Sequence, residues 1–239
     1  MTNDAGVDDP TVNPDEPLHW ADAPQMSPVD AVMWRGDADR RLRSTICMLE
    51  IYDTDPDWER LVAAHEWGSR MAPRFRQRVV ESPLRTGTPS WAVDPEFDLH
   101  YHLRRLRLGG DNSLRELLST CEQLAMTPLD PARPPWEGYL IEGLPEGKTA
   151  YFLKAHHALT DGLGAIIGLA QLHSPTRDPI PGKPQPPVPE PEEPSPLDVL
   201  RRQLGEEVRR APRLAGKAVD GALALTDPKR ALSKVLRYG

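Results

Sequence analysis

The sequence predicts a mixed α/β or α+β fold, and three observations carry that reading. Short runs rich in β-branched and apolar residues alternate along the chain with stretches whose apolar positions recur every three or four residues. No segment recurs at a solenoid period. The 239 residues are 38% hydrophobic and 27% charged, enough for a buried core and one or two domains.

The elements follow in order. Residues 1–18 are acidic and lack an apolar core, which reads as a disordered tail and not as a secretory signal. Residues 19–174 form the globular domain. Within it Arg43–Tyr52 (RSTICMLEIY) reads as a strand. Asp57–Arg70 reads as a helix with Trp58, Leu61, Val62 and His65 on one face. Arg74–Val80 and Leu99–Leu108 are further strand candidates. Ser113 with Glu116 three residues on has the spacing of a capping box. The helix it opens places Leu114, Leu117, Leu118, Cys121, Leu124 and Ala125 on one stripe, expected to pack in the core. Trp136–Leu144 and Thr149–Ala158 read as paired strands around the turn PEGK, and Asp161–Leu172 as a helix apolar nearly all round. Residues 175–196 hold ten of the 27 prolines, which excludes a helix and predicts an extended, semi-rigid linker. In residues 197–239, Leu197, Leu200, Leu204 and Val208 recur at helical spacing until Pro212, so a basic helical region is expected.

Composition excludes several classes. The net charge of −7 is unevenly spread: residues 201–239 hold ten Lys/Arg against four acids, and the body before them is acidic. Phosphate binding needs clustered positive charge, so nucleic acid is not an expected partner. Cys47 and Cys121 cannot build a disulfide framework or a four-thiolate zinc site, which fits a reducing, cytoplasmic setting. The longest apolar run, near Leu163–Leu172, falls far short of the ~20 residues of a membrane span.

One segment carries chemistry: Lys154-Ala155-His156-His157-Ala158-Leu159-Thr160-Asp161-Gly162, where an apolar strand gives way to the helix expected over Asp161–Leu172. Adjacent strand residues point to opposite faces, so His156 and His157 are expected to serve different surroundings. That argues against a zinc site built on both, and no Cys or Glu stands at ligand spacing. Asp161 would head the helix, where exposed N–H groups favour a carboxylate, and Gly162 allows a turn without a Cβ. A neutral imidazole, of pKa about 6.5, suits removal of a proton from a hydroxyl or thiol. No serine sits in a GxSxG turn and neither cysteine has an activating neighbour, so a covalent nucleophile is poorly supported. Direct attack by a His-activated acceptor alcohol on an activated acyl donor is the economical mechanism. A histidine pair that merely packs in the core is the plain alternative.

HHALTDG resembles the HHxxxDG motif of the acyltransferase superfamily that includes carnitine and chloramphenicol acyltransferases and peptide-synthetase condensation domains. Met26-Ser27-Pro28-Val29-Asp30-Ala31 resembles the opening motif of bacterial wax ester synthase/acyl-CoA:diacylglycerol acyltransferases. Pro89-Ser90-Trp91 with Phe97-Asp98-Leu99 and His102, and PLDPARPPWE over Pro128–Glu137, resemble further segments of that family; Pro135 replaces its usual Leu. The resemblance spans Met26 to about Leu172. It implies a two-layer sandwich of a mixed sheet with packed helices, like one half of a CoA-dependent acyltransferase. It implies that His157 is the general base on the hydroxyl of a diacylglycerol or long-chain alcohol and that His156 is structural. Asp161 would hold the loop by pairing with an arginine, and Gly162 would leave room for substrate. Acyl-CoA would be co-substrate, with no bound cofactor and no metal. Arg133, Trp136 and Glu137 would be architectural.

Family members run to about twice this length, with a second half that closes the substrate tunnel, so a complementary C-terminal half is an expected partner. Two rivals stand beside this reading: a condensation-like acyltransferase, and a non-catalytic half-domain acting as a binding subunit. The basic 197–239 stretch suits peripheral placement on the inner face of an anionic membrane, and packing against the acidic body or a second half suits it equally.

Overall fold

The computed structural model describes residues 23–83, 85, 87–159 and 185–205. Helix α1 (Pro28–Gly36) opens on Ser27, whose hydroxyl caps it, with Pro28 in the first turn, where its missing N–H costs nothing. Strand β1 (Thr45–Tyr52) follows, and then α2 (Trp58–Met71), capped by Asp57. Strands β2 (Gln77–Val80) and β3 (Ser90–Val93) pair antiparallel. A one-turn helix α3 (Leu99–His102) leads into β4 (Leu103–Arg107), and α4 (Leu114–Met126) into β5 (Trp136–Glu142) and β6 (Thr149–His156).

Three local readings are corrected. Only Gln77–Val80 of the strand expected over Arg74–Val80 pairs, because Pro73 starts a 3₁₀ turn over Pro73–Arg76. Asp98 accepts from the His100 N–H at 2.9 Å and bends Leu99–His102 into a helical turn before the strand begins. Along α4 the packed stripe is Leu117, Cys121, Leu124 and Ala125, while Leu114 and Leu118 at its edge are 55% and 51% exposed. Ser113 caps α4 as expected, accepting from Glu116 N–H at 3.2 Å. The Glu116 carboxylate instead takes the N–H groups of Gly109, Gly110 and Asn112 (3.1, 2.7 and 2.6 Å). A Cβ at Gly110 would come within 2.8 Å of that carboxylate, so a side chain there would push the Glu116 carboxylate aside.

The four-stranded sheet has the order β1-β6-β5-β4. β6 runs antiparallel to both neighbours and β4 parallel to β5, so the sheet is mixed, as expected. The central strand β6 is covered on both faces. Tyr151 and Ala155 pack in a cluster with Trp136, Leu103 and, from α2, Leu61 and Val62. Ala150 and Phe152 pack in another with Tyr139, Ile141 and Leu117 and Cys121 of α4. Period-2 alternation thus feeds two apolar layers, each fully buried Leu or Phe contributing roughly 1.5–3 kcal/mol.

Lys154 is a charged residue inside this core and is fully buried. Its ammonium stands 2.9 Å from Glu137 Oε2 and donates to the carbonyls of Leu124 and Thr127, at 3.1 Å each. Tyr139 O–H adds a bond to Glu137 at 2.7 Å. Burial pushes the Glu137 carboxyl up, and the hydrogen bonds from Tyr139 and Lys154 outweigh it, so the net shift is downward.

The chain divides into two compact units. The larger holds both sheets, and within it residues 185–193 run without helix or strand, Glu192 N–H donating to Val93 O at 2.9 Å. In the smaller, residues 196–205 are helical and capped by Ser195, whose Oγ accepts from Asp198 N–H at 3.2 Å. Gln203 there donates to Thr88 O at 3.2 Å. Among the described residues no helix is long and apolar enough to cross a membrane.

Removing one partner of a buried ion pair strands the other charge. Lys154→Met is therefore expected to lower the unfolding free energy by about 3–5 kcal/mol. Lys154→Met with Glu137→Leu should recover a good part of that loss. Urea denaturation of the two variants checks both.

Candidate functional site

β6 ends at His156, and His157 begins a 3₁₀ turn over His157–Leu159. The two histidines thus part company because the strand stops between them, and not because both lie on a strand. His156 N–H donates to Pro135 O at 2.9 Å, and His157 N–H to Ser44 O at 2.8 Å, so the backbone is pinned on both sides of the change.

The His156 side chain is 1% exposed. Its Nδ1 accepts from Ala158 N–H at 2.9 Å, which leaves the proton of the neutral ring on Nε2. That nitrogen stands 3.3 Å from Asp37 Oδ1, and the same oxygen accepts from Ser44 N–H at 2.8 Å. Trp34 meets the ring edge-on at 5.1 Å. Burial pushes the His156 pKa below the ordinary histidine value, against the raising effect of Asp37. The ring is a neutral brace between the end of α1 and the turn.

The His157 side chain is 43% exposed, yet its Nδ1 is buried. Asp30 Oδ1, in the first turn of α1, lies 3.9 Å from that nitrogen. The arrangement presents one half-exposed imidazole beside one locked imidazole. One ring is engaged on both its nitrogens and the other is open on one side. Among the described residues no group of three His, Cys, Asp or Glu could hold a metal ion. Asp161 and Gly162 lie outside the described residues, as do most of the helix expected after them and residues 206–239 of the basic region.

The segments quoted for the resemblance send Met26, Ala31, Trp91, Leu99 and Trp136 into one buried cluster with Ala158 and Leu159 of the turn. Arg133 contacts Asp94 (3.3 Å), Glu96 O (2.7 Å) and Glu96 Oε2 (3.2 Å), tying the PLDPARPPWE loop to the residues after β3. Trp136 is buried, donates to Phe75 O at 2.7 Å and stacks on His102 at 4.8 Å. His102 Nδ1–H donates to Trp136 O at 2.8 Å. A third buried histidine, His65, donates from Nδ1 to Leu61 O (2.8 Å) and accepts the Tyr151 hydroxyl on Nε2 (2.6 Å). Sequence reasoning missed Asp30, Trp34, Asp37 and Ser44 as neighbours of the pair. MSPVDA named Asp30 without a role, and the other three carried no signal.

Residues 26–237 match the family model described as the wax ester synthase/diacylglycerol acyltransferase catalytic domain. A Mycobacterium tuberculosis protein named as a diacylglycerol O-acyltransferase is 44% identical over 180 residues, covering 75% of this chain and 36% of that protein. Another from the same organism, similarly named, is 34% identical over 211 residues, covering 86% and 43%. The chain thus spans less than half the length of these relatives. Among solved structures, a wax ester synthase/diacylglycerol acyltransferase from Marinobacter aquaeolei VT8 superposes with TM-score 0.54 at 27% identity, covering 69% of this chain and 40% of that one. A condensation domain of the calcium-dependent antibiotic synthetase reaches TM-score 0.54 at 20% identity, over 78% and 43%, a likeness of fold alone.

Burial holds His65, His102 and His156 below the usual histidine pKa, each against smaller raising effects. The unfolded chain takes up these protons near pH 6.5, so the folded state keeps its full advantage above about pH 6.5 and loses it as pH falls toward the lowered values. The urea midpoint is expected to drop between about pH 7.5 and pH 5, ahead of most carboxylate titration. A midpoint flat across that window would contradict three histidines buried neutral.

Proposed function

Because the chain belongs to the wax ester synthase/diacylglycerol acyltransferase catalytic-domain family, we propose that it supplies the histidine-bearing part of an acyl-CoA-dependent O-acyltransferase. The acceptor is a diacylglycerol or a long-chain alcohol. His157 takes the hydroxyl proton as the oxygen attacks the thioester carbonyl. The new C–O ester bond forms, the C–S bond breaks, and the departing coenzyme A thiolate receives the proton. The observation that carries this reading is the asymmetry of the pair: His156 is sealed and locked, His157 half exposed.

Asp161 and Gly162 would then shape the loop after His157, Asp161 by holding it and Gly162 by leaving room for substrate. The relatives' greater length supports a requirement for further polypeptide, which would complete the donor and acceptor sites. Positioning both substrates and excluding water are worth several kcal/mol of the barrier, and an open histidine supplies neither. Placement on the inner face of a membrane, through the basic 197–239 region, fits a lipid acceptor.

The test is transfer from labelled long-chain acyl-CoA to diacylglycerol and to hexadecanol, with the chain alone and with a polypeptide completing the relatives' length. In the active assembly, His157→Ala is expected to lower the rate by about 10²–10⁴, the usual worth of general acid–base help. Near-normal turnover by that variant would overturn the mechanism. Asp161→Asn is expected to lower the melting temperature at least as clearly as the rate per folded molecule. Lost activity at an unchanged melting temperature would give Asp161 a direct part in the chemistry.

A further inference from the structure

α1 places a carboxylate behind the exposed histidine, and its local bonding fixes where that carboxylate points. Ser27 Oγ accepts from the Asp30 backbone N–H at 3.1 Å and donates to Asp30 Oδ2 at 2.6 Å. One carboxylate oxygen is therefore tied to the cap. The other, Oδ1, faces His157 Nδ1 at 3.9 Å. That nitrogen is buried and, among the described residues, has no hydrogen-bond partner, although the His157 side chain as a whole is 43% exposed. A neutral imidazole carries its proton on one nitrogen only, and a buried nitrogen beside a carboxylate is the favourable place for it.

We propose that Asp30 is a positioning residue for His157: its Oδ1 holds the imidazole in the Nδ1–H form, so that the Nε2 lone pair is the one left to accept a proton. This deepens the function proposed above and rests on it for its catalytic meaning. The chemical logic is general. A base must present its lone pair, not its N–H, to the hydroxyl it deprotonates, and a carboxylate behind the ring fixes the tautomer and favours the imidazolium that forms. Among the described residues the other ionisable neighbours do not compete for this nitrogen. His156 is neutral and engaged through Nδ1 with Ala158, and Asp37 Oδ1 is turned to His156 and Ser44. The approach of 3.9 Å is longer than a hydrogen bond, so the carboxylate acts on this ring through its charge. Asp30 stands at the third residue of α1, so the first turn of that helix fixes where its carboxylate lies.

The full 239-residue chain, labelled with ¹⁵N-histidine, tests this by long-range proton–nitrogen correlation at about pH 8, above the ordinary histidine pKa. His157→Gln assigns the signals. In the native chain the His157 Nδ1–H form is expected to exceed the Nε2–H form roughly tenfold, the ratio set by about 1.4 kcal/mol of preference. Asp30→Ala should remove that excess while the backbone spectrum keeps its dispersion. Asp30→Glu, which keeps a carboxylate in the first turn, should restore it. A native chain with His157 in the Nε2–H form overturns the proposal without any variant. A tautomer unmoved by Asp30→Ala, or lost equally with Ala and Glu, overturns it too. The readout needs no acyl transfer, so the two readings fail separately. Transfer that is indifferent to His157 would remove the catalytic reading and leave the tautomer result standing. A negative tautomer result beside His157-dependent transfer would remove only the part given to Asp30.

Discussion

The constraint on which the rest depends is the buried ammonium of Lys154. An ion of this size cannot be left bare in a low-dielectric interior, and all three of its protons have to be answered there. Glu137 on β5 answers one, and the carbonyls of Leu124 and Thr127 at the end of α4 answer the others. The end of a helix is where such carbonyls lack intrahelical partners, so a cation is well placed there. Lys154 and Glu137 are direct partners in the β5–β6 ladder, which ties that register to charge as well as to apolar packing. A slip of one residue would turn Lys154 onto the opposite face of the sheet, away from Glu137 and from the carbonyls of Leu124 and Thr127.

From that fixed point the chain runs two residues to His156 and meets a second device. Asp37, just past α1, receives the Ser44 N–H and faces the His156 Nε2–H with the same oxygen. The start of β1 and the end of β6 are thereby joined through one carboxylate, while Ser44 O takes the N–H of His157. The exposed histidine owes its place to these neighbours. Its backbone is set by Ser44, the residue before it is sealed under Trp34, and its ring leans on the first turn of α1. A histidine borne on a flexible loop would need ordering before it could act, and His157 is ordered by the fold.

Much of this was legible in the sequence, and the boundary has a physical meaning. β6 could be read because a strand buried on both faces shows as one apolar run, YFLKA, interrupted by a single lysine. α4 could be read because its cap and its stripe are local patterns. The separation of the two histidines could be anticipated, although the cause is the end of a strand and not the alternation within one. What stayed hidden depends on pairing between distant parts of the chain. Asp30 and Asp37 lie more than a hundred residues before the histidines they face, and no periodicity links them. The α3 turn hid for the opposite reason: one Asp98 hydrogen bond overrides the strand-like character of the residues after it.

The same division separates what this chain settles by its own folding from what the chemistry still requires. The surroundings of His157 are built from α1, the Ser44 backbone and the end of β6, all within one compact unit. If His157 is the base, as proposed, water can reach a ring that is 43% exposed just as an alcohol can. Water and alcohol are both hydroxyl nucleophiles, and an activated thioester attacked by water is simply lost. On the proposed reading, selectivity for the lipid acceptor cannot come from the histidine, whose basicity treats the two alike. It has to come from walls that admit an apolar chain and exclude solvent. The relatives, more than twice as long as the segment they share with this chain, have the polypeptide to build such walls. On the proposed reading the base and the enclosure are separable parts, and the described residues hold the first.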